Sequence, residues 1–267
     1  MEICDLHVHS QFSFDSDAPI DAIQQAASIR GVSVVALTDH CDMTAGPEGI
    51  QYYIAHEEAR LQAFRAAPQT ADLPELLYGV EIGNAIDMPE ETNVFLSQRK
   101  FDFVLGAIHF LPNGEDIYKL PYPDAESVDR MFLQYFSSLK SLVALGNFDA
   151  LAHLDYPLRV LRGKLMKCSI LIYRDYVDSL LRELVRKDIA LEVNTRGTYD
   201  WQGRVGPEDW ALRRYRELGG RLVTIGSDAH KEKDVGEGFL RAVESLRRTG
   251  FQEYAIYRSR VPCPVGL

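Results

Sequence analysis

The sequence has few cysteines, no long hydrophobic run and no excess of positive charge. Its four cysteines are scattered without a C-x-x-C pair, which excludes a disulfide scaffold and indicates ordinary thiols of a reducing compartment. The longest apolar runs, such as Val34–Leu37, are far too short to span a bilayer. The N-terminus has neither the basic region nor the apolar stretch of a signal peptide. We therefore expect a cytoplasmic protein without a membrane span.

Positive charge is scarce, because 29 Lys and Arg residues face 39 Asp and Glu residues and the net charge is −10. Such a chain has no general attraction for nucleic acid or for anionic membranes. It also lacks the interleaved basic and aromatic residues of an extended nucleic-acid groove. A small anionic ligand must then be captured by a local site. The sequence does not indicate an oligomeric state.

Short apolar runs alternate with helical segments along the whole chain. The seven runs lie at 3–8, 32–37, 76–82, 103–108, 148–152, 189–193 and 221–225, and each is typical of a parallel strand buried on both faces. Helical spacing is found at 20–30, 52–66, 127–145, 171–186 and 207–218. This alternation predicts one α/β domain over 1–267, either closed into a barrel or doubly wound. Residues 111–124 are predicted to form a loop or lid, and residues 251–267 could either pair with the sheet or cap the barrel.

Six of the seven histidines lie at the C-terminal ends of these apolar runs, and Glu81 and Asp228 occupy equivalent positions. The six are His7, His9, His40, His109, His153 and His230. Because the C-terminal ends of parallel barrel strands share one face, these side chains are expected to converge. Imidazole and carboxylate groups are ligands for divalent zinc, iron or manganese. The seventh histidine, His56, lies on a helical segment and is expected at the surface.

Seven short motifs occur in a characteristic order. They are DLHVHS at 5–10, TDH at 38–40, GVE at 79–81, GAIH at 106–109, AHLD at 152–155, EVNT at 192–195 and GSDAH at 226–230. This set resembles the polymerase and histidinol phosphatase (PHP) superfamily, and within it the stand-alone histidinol-phosphate phosphatases. The resemblance implies a distorted, seven-stranded (β/α)7 TIM-like barrel. It also implies a phosphomonoesterase that hydrolyses L-histidinol phosphate in histidine biosynthesis.

The resemblance further implies a trinuclear site of zinc, manganese or iron ions. One ion would bind His7, His9, Glu81 and Asp228, and a second would share Glu81 and add His109 and His153. A third would bind Asp15, His40 and His230. Relatives often have histidine at the position of Asp15, and Asp17 is a nearby acid. A carboxylate is an acceptable ligand there.

The same resemblance assigns roles in the reaction. Glu81, Asp228 and His40 are the predicted catalytic residues, and a hydroxide bridging two ions is the predicted nucleophile. The charge of the ions allows an acidic chain to hold a phosphate dianion. Predicted contacts to the small phosphorylated substrate come from Arg196, Arg159 and Asp42.

Three other functions are compatible with parts of this pattern. A PHP phosphoesterase could act on a nucleotide, an oligonucleotide end, a sugar phosphate or phosphotyrosine. A non-enzymatic appendage of a DNA polymerase is disfavoured because every ligand position is filled. An amidohydrolase is disfavoured because no lysine lies at a strand end.

Overall fold

The apolar runs of the sequence form the strands of one parallel sheet in the computed structural model, which describes residues 1–121, 124–161 and 169–267. These strands are β1 (Cys4–Val8), β2 (Val34–Leu37), β3 (His40–Asp42), β4 (Glu75–Gly83), β5 (Phe103–Ala107), β6 (Ala150–Leu151), β7 (Ala190–Asn194) and β8 (Val223–Gly226). Their order is β1-β2-β4-β5-β6-β7-β8, and the short β3 continues the line of β2 along β4. The seven predicted strands are confirmed.

The first and last strands of this sheet approach each other and nearly close it into a barrel. Val8 forms a parallel bridge with Ala229, and the backbone N–H of His9 donates to the carbonyl of Ala229 at 2.8 Å. Strand β6 is only two residues long, so the barrel wall is distorted beside it. The predicted barrel is confirmed, and the doubly wound alternative is excluded.

Helices cover the outside of the sheet. They are α1 (Ile20–Ile29), α2 (Ile50–Ala66), α3 (Pro89–Ser97), α4 (Ala125–Leu145), α5 (Pro157–Val160), α6 (Arg174–Arg186), α7 (Arg196–Tyr199), α8 (Asp209–Glu217) and α9 (Phe239–Arg248), with 3₁₀ turns at Ile170–Tyr173 and Glu232–Asp234. All five predicted helices are present, although the first turn of the segment 171–186 is 3₁₀. Helices α3 and α9 and the short helices α5 and α7 lie outside the predicted segments.

The core lies between the helices and the sheet because each helix buries one apolar face. In α6, Val177, Leu180, Leu181 and Leu184 are buried at the i, i+3, i+4, i+7 spacing. The strands are buried on both faces, as predicted for a parallel sheet. Each fully buried aliphatic side chain contributes about 1.5–3 kcal/mol to the free energy of unfolding before conformational entropy is subtracted.

The chain after residue 251 forms an antiparallel hairpin of β9 (Glu253–Arg258) and β10 (Val261–Gly266). The Tyr254 hydroxyl donates to the carbonyl of Glu2 at 3.0 Å, and Arg258 forms an ion pair with Glu75. Both partners lie at the N-terminal ends of barrel strands. The hairpin therefore covers the end of the barrel opposite the histidine-bearing strand ends.

Residues 111–121 form turns and one isolated bridge between Phe110 and Asp116, as expected for the predicted loop. Residues 122 and 123 of that loop, and Cys168, lie outside the described residues. Cys4 and Cys41 are buried free thiols, and Cys263 is a partly buried free thiol. Within the described ranges, no helix is long and apolar enough to cross a membrane.

Candidate metal centre

The predicted ligand residues meet at the C-terminal end of the barrel. Each lies on or just after a parallel strand, except Asp15, which lies in the loop after β1. The nine residues are His7, His9, Asp15, His40, Glu81, His109, His153, Asp228 and His230. His153 and Asp228 have backbone φ angles of 24° and 55°, in the sparsely populated left-handed region. Such strain is characteristic of functional sites.

Glu81 lies at the centre of this cluster, and its two carboxylate oxygens face different imidazoles. Oε2 faces three ring nitrogens: His40 Nδ1 at 3.0 Å, His7 Nε2 at 3.3 Å and His9 Nε2 at 3.5 Å. Oε1 faces two: His153 Nε2 at 2.9 Å and His109 Nε2 at 3.5 Å. This is the arrangement of a carboxylate that can bridge two cations.

Asp15 organises the outer part of the cluster. Its Oδ2 lies 2.9 Å from Nε2 of His230 and 3.6 Å from Nε2 of His40. The side chain of Asp15 is 37% exposed, whereas Glu81 is inaccessible to solvent. Asp17, the other acid of this loop, belongs to none of the metal-binding groups described below.

In the described part of the chain, four groups of side chains each have ligand atoms that lie within 4.8 Å of one another. They are His7, His9 and Glu81; Glu81, His109 and His153; His9, Asp15, His40 and His230; and His40, Asp42 and His109. The first three overlap with the predicted ion sites, with two differences. His9 also belongs to the group of Asp15, and Asp228 belongs to no group, since its Oδ1 lies 3.6 Å from His9 Nε2 and 4.0 Å from His7 Nε2. The assignment of ligands to individual ions stays a prediction.

The arrangement of these nitrogens fits a bound cation. Nε2 of His7 and Nε2 of His9 lie 3.1 Å apart, while Nδ1 of His7 contacts Glu192 and Nδ1 of His9 contacts Ser13. If the Nδ1 atoms carry the protons, the two Nε2 lone pairs face each other, which a cation between them would stabilise. Three further buried atoms have no hydrogen-bond partner among the described residues: Glu81 Oε2, His40 Nδ1 and His153 Nδ1. A divalent ion would accept the lone pairs of such atoms, and imidazole nitrogens and carboxylate oxygens are common zinc ligands.

Two of the histidines are oriented by carboxylates that are not among the nine predicted ligands. Glu192 Oε1 accepts a hydrogen bond from His7 Nδ1 at 2.6 Å, and Asp42 Oδ1 accepts one from His109 Nδ1 at 2.8 Å. Such partners fix the tautomer of a metal-binding imidazole. Asp42 is buried, so its observed contact is with His109, and its predicted contact with substrate stays a prediction.

Glycines make these two hydrogen bonds possible. A Cβ at Gly83 would lie 1.7 Å from Asp42 Oδ1, and a Cβ at Gly226 would lie 2.7 Å from Glu192 Oε1. Neither position has room for a side chain, so glycine is required at the ends of β4 and β8. At Gly226 the Cβ of His7, at 2.4 Å, is an even closer obstacle than the carboxylate.

The two predicted phosphate-binding arginines both lie beside Asp228. Arg196 Nη1 donates to the Asp228 carbonyl at 2.6 Å and lies 2.6 Å from Nδ1 of His230. Arg159 Nη1 lies 3.9 Å from Asp228 Oδ2. Arg159 lines both the pocket above the cluster and a smaller side pocket next to it, whereas Arg196 lines the side pocket. Arg196 therefore holds two predicted ligands, and Arg159 faces the space where a substrate would lie.

A pocket of about 410 Å³ opens above the cluster. Its floor contains Glu81, and the predicted loop supplies part of its wall through Asp116, Tyr118 and Lys119. Phosphate esters of small metabolites fit this volume. His56 lies away from this pocket on α2, partly buried, with Nδ1 at 2.8 Å from the carbonyl of Tyr52.

The electrostatics of the cluster keep its carboxylates ionised and His9 neutral. Burial raises the pKa of Glu81, but the neighbouring imidazoles of His7 and His40 outweigh it and hold that pKa well below its usual range. Burial opposes ionisation of Asp228 as well, yet Arg196 keeps its pKa well below normal. Burial, aided by His230, lowers the pKa of His9 to about 3. His9 therefore offers a lone pair at neutral pH.

Two residues that sequence reasoning did not select also belong to the site. Ser13 contacts His9, and the buried Arg60 contacts Asp39, which precedes His40. The spacing of Arg60 seven residues after the buried Tyr53 places both on one face of α2. A charged residue on an apolar helix face is the signal that could have identified it.

Comparisons with known proteins show which proteins this chain resembles. Residues 5–196 match the PHP domain family model. The chain is 30% identical over 257 residues to a "probable histidinol-phosphatase" of Thermotoga maritima, with 94% of each chain covered. It is 29% identical over 250 residues to a protein of the same name from Clostridium acetobutylicum, with 91% of this chain and 92% of the relative covered.

A solved structure shares the fold. It is the histidinol phosphate phosphatase of Lactococcus lactis in complex with zinc, L-histidinol and phosphate. The TM-score is 0.77, the sequence identity is 22%, and the match covers 98% of this chain and 99% of the other.

Proposed function

The chain belongs to the PHP domain family and is a metal-dependent phosphatase, and on that premise we propose that it hydrolyses L-histidinol phosphate to L-histidinol and phosphate. The observation that carries the proposal is the central carboxylate of Glu81, which has imidazoles on both oxygens and lies beneath a pocket that Arg159 lines. The names of the Thermotoga and Clostridium relatives support the choice of substrate. The alternative is another small phosphoester in the same pocket.

The finer part of the proposal is that three divalent ions bind here. His7, His9, Glu81 and Asp228 would hold one ion, His109 and His153 would hold a second with Glu81, and Asp15, His40 and His230 would hold a third. When bound, such ions supply positive charge to the phosphate oxygens and acidify water for attack on phosphorus. Zinc, manganese and iron all accept these donors.

The residues of the chain would position the phosphate and its surroundings. Arg159 lines the pocket and can donate to phosphate oxygens in the forked geometry that suits them. Arg196 would keep Asp228 and His230 in place and add positive charge beside the phosphate. Glu81 and Asp228 stay ionised and hold the cationic centre together, and His40 connects its deep and outer parts through Glu81 and Asp15.

We also propose that residues 1–267 act as one domain in the cytoplasm. The family match ends at residue 196, yet Asp228 and His230 complete the cluster, and β8 belongs to the same sheet. The buried free thiols Cys4 and Cys41 are compatible with a reducing compartment.

The decisive experiment is phosphate release by the full chain reconstituted in turn with zinc, manganese and iron. The substrates are L-histidinol phosphate, sugar phosphates, nucleotides, phosphotyrosine and short oligonucleotides. We expect kcat/KM for L-histidinol phosphate to exceed the others by about a hundredfold, a transition-state difference of about 2.7 kcal/mol. A maximum at another substrate would keep the phosphatase and refute this choice of substrate. Absence of release from every phosphoester would refute the function itself.

A further inference from the structure

Arg60 on α2 is a buried cation to which the proposed reaction assigns no task. Its side chain is 2% exposed and lies behind the metal centre. Its Nη1 donates to the hydroxyl of Tyr53 at 2.9 Å, and its guanidinium carbon lies 4.3 Å from the ring centroid of Tyr78. A buried charge is costly unless it is paired and fully hydrogen-bonded. The remaining partners of Arg60 show what it holds in place.

Arg60 joins the two strands that lead into the centre. Its Nη2 donates to the carbonyl of Leu37 at 2.9 Å and to the carbonyl of Gly79 at 2.8 Å. These carbonyls lie where the β2–β4 ladder ends and the β3–β4 ladder begins. His40 and Glu81 follow within three residues. Arg60 thus fixes the backbone from which both ligands project.

The same guanidinium forms an ion pair with Asp39. Nε of Arg60 donates to Asp39 Oδ2 at 2.5 Å. The carboxylate also accepts from the backbone N–H of Ser10 at 2.6 Å, from the Ser10 hydroxyl at 3.0 Å and from the Ser13 hydroxyl at 3.3 Å. An ionised carboxylate only accepts hydrogen bonds, so in these contacts the hydroxyls of Ser10 and Ser13 are the donors and their protons point towards Asp39.

The direction of the Ser13 hydroxyl fixes the proton of His9. A hydroxyl has one proton and two lone pairs. The proton of Ser13 goes to Asp39, and one lone pair accepts the backbone N–H of His40 at 3.0 Å. The remaining contact is Nδ1 of His9 at 3.0 Å, so this nitrogen must be the donor. The lone pair of His9 is then on Nε2, the atom that faces Glu81 and Asp228.

We propose that Arg60 and Ser13 are positioning residues which, through Asp39, fix His9 in the tautomer that binds metal. His7 and His109 have carboxylates directly on Nδ1, whereas His9 reaches its carboxylate through one hydroxyl. The inference rests on the proposed function, because only a metal-binding site requires His9 to present a lone pair on Nε2.

Two serines of the network provide a matched pair of variants. Ser10 and Ser13 are both buried and both donate to Asp39, but only Ser13 contacts an imidazole. In the full chain, we expect Ser13→Ala to weaken the tightest zinc site at least about tenfold and Ser10→Ala to leave it unchanged. Competition with a chromophoric chelator measures both. Arg60→Met should weaken zinc binding as Ser13→Ala does, and Arg60→Lys should recover part of the affinity. If the Arg60 variants do not fold, the comparison of the two serine variants tests the inference alone.

A second readout does not depend on metal binding. Imidazole ¹⁵N spectra of the metal-free chain, with His9 assigned by the signal lost in His9→Gln, report the position of its proton. We expect the proton on Nδ1 in the wild type and in Ser10→Ala, and a mixture of tautomers in Ser13→Ala. An unchanged tautomer in Ser13→Ala, or equal zinc affinity in the two serine variants, would overturn the inference. A wild type that binds none of zinc, manganese and iron would refute the proposed function, while the spectra would still decide the role of Ser13.

Discussion

The metal centre has a deep half and an outer half that are built differently. The deep half consists of His7, His9, Glu81, His109 and His153, whose side chains are at most 10% exposed. The outer half consists of Asp15 and His230 with Arg196, and Asp15 is 37% exposed. The deep half is carried by barrel strands and the residues that follow them, whereas Asp15 lies in a loop. This difference in support predicts a difference in metal affinity.

The two halves also differ in which imidazole nitrogens carry a proton. In the deep half, Ser13 accepts from Nδ1 of His9, and the low pKa of that ring leaves its Nε2 bare. In the outer half, Nδ1 of His230 lies 2.6 Å from Arg196 Nη1 and 3.0 Å from the carbonyl of Asp228. Because the guanidinium only donates and makes the shorter contact, we infer that Nδ1 accepts and that the Nε2–H points to Asp15. Nε2 of His9 is thus ready for a cation, whereas His230 must first lose a proton from Nε2. We therefore expect the deep ions to bind more tightly than the outer one.

The largest effect is expected at the residue that joins the deep ligands. Glu81→Gln removes the negative charge between five imidazoles while keeping the shape of the side chain. We expect kcat/KM to fall by at least about a thousandfold, which corresponds to about 4 kcal/mol of lost transition-state stabilisation. Circular dichroism checks the fold, and the exposed Glu58→Gln is the control. Retention of most of the activity would refute the bridging role of Glu81.

A smaller effect is expected from the outer carboxylate. Asp15→Asn should release one ion per chain and leave the deep ions bound, with kcat/KM reduced by about a hundredfold because one source of charge stabilisation is lost. Bound metal is counted by mass spectrometry after dialysis. Asp17→Asn, in the same loop but outside every metal-binding group, is the matched control. If Asp15→Asn lost all its metal, the distinction between the halves would be wrong.

The parts that sequence predicted well are those that depend on strand position alone. His7, His40 and Glu81 are recognisable because a strand end fixes where a side chain lies in a parallel barrel. The partners behind them are harder, because Ser13 and Arg60 reach their contacts through the packing of a loop and a helix. Asp42 illustrates the limit: its position beside the pocket is evident from the sequence, but its hydrogen bond to His109 depends on the absent side chain of Gly83.

A moderate effect is expected from a partner of the deep half. Asp42→Asn replaces the carboxylate that orients His109, and we expect metal affinity to fall by about tenfold. Gly83→Ala should act in the same direction, since a Cβ there would displace Asp42. Asp116→Asn is the control, because Asp116 lines the same pocket but pairs with Lys119. Equal affinity in all three variants would show that the deep ligands need no such support.

The smallest effect is expected at the opposite end of the barrel, where the hairpin is held by the ion pair of Arg258 with Glu75. The pair is bidentate, with Nε–Oε1 at 2.9 Å and Nη2–Oε2 at 2.5 Å, but its side chains are 43% and 41% exposed. Because water and salt screen such a pair, Arg258→Gln should change the free energy of unfolding by no more than about 1 kcal/mol. Urea denaturation measures this change, and metal content and kcat/KM should equal those of the wild type. A loss of metal from this variant would mean that the far end of the barrel also supports the metal centre. The difference between the deep and outer halves of the centre would then not depend on their immediate surroundings alone.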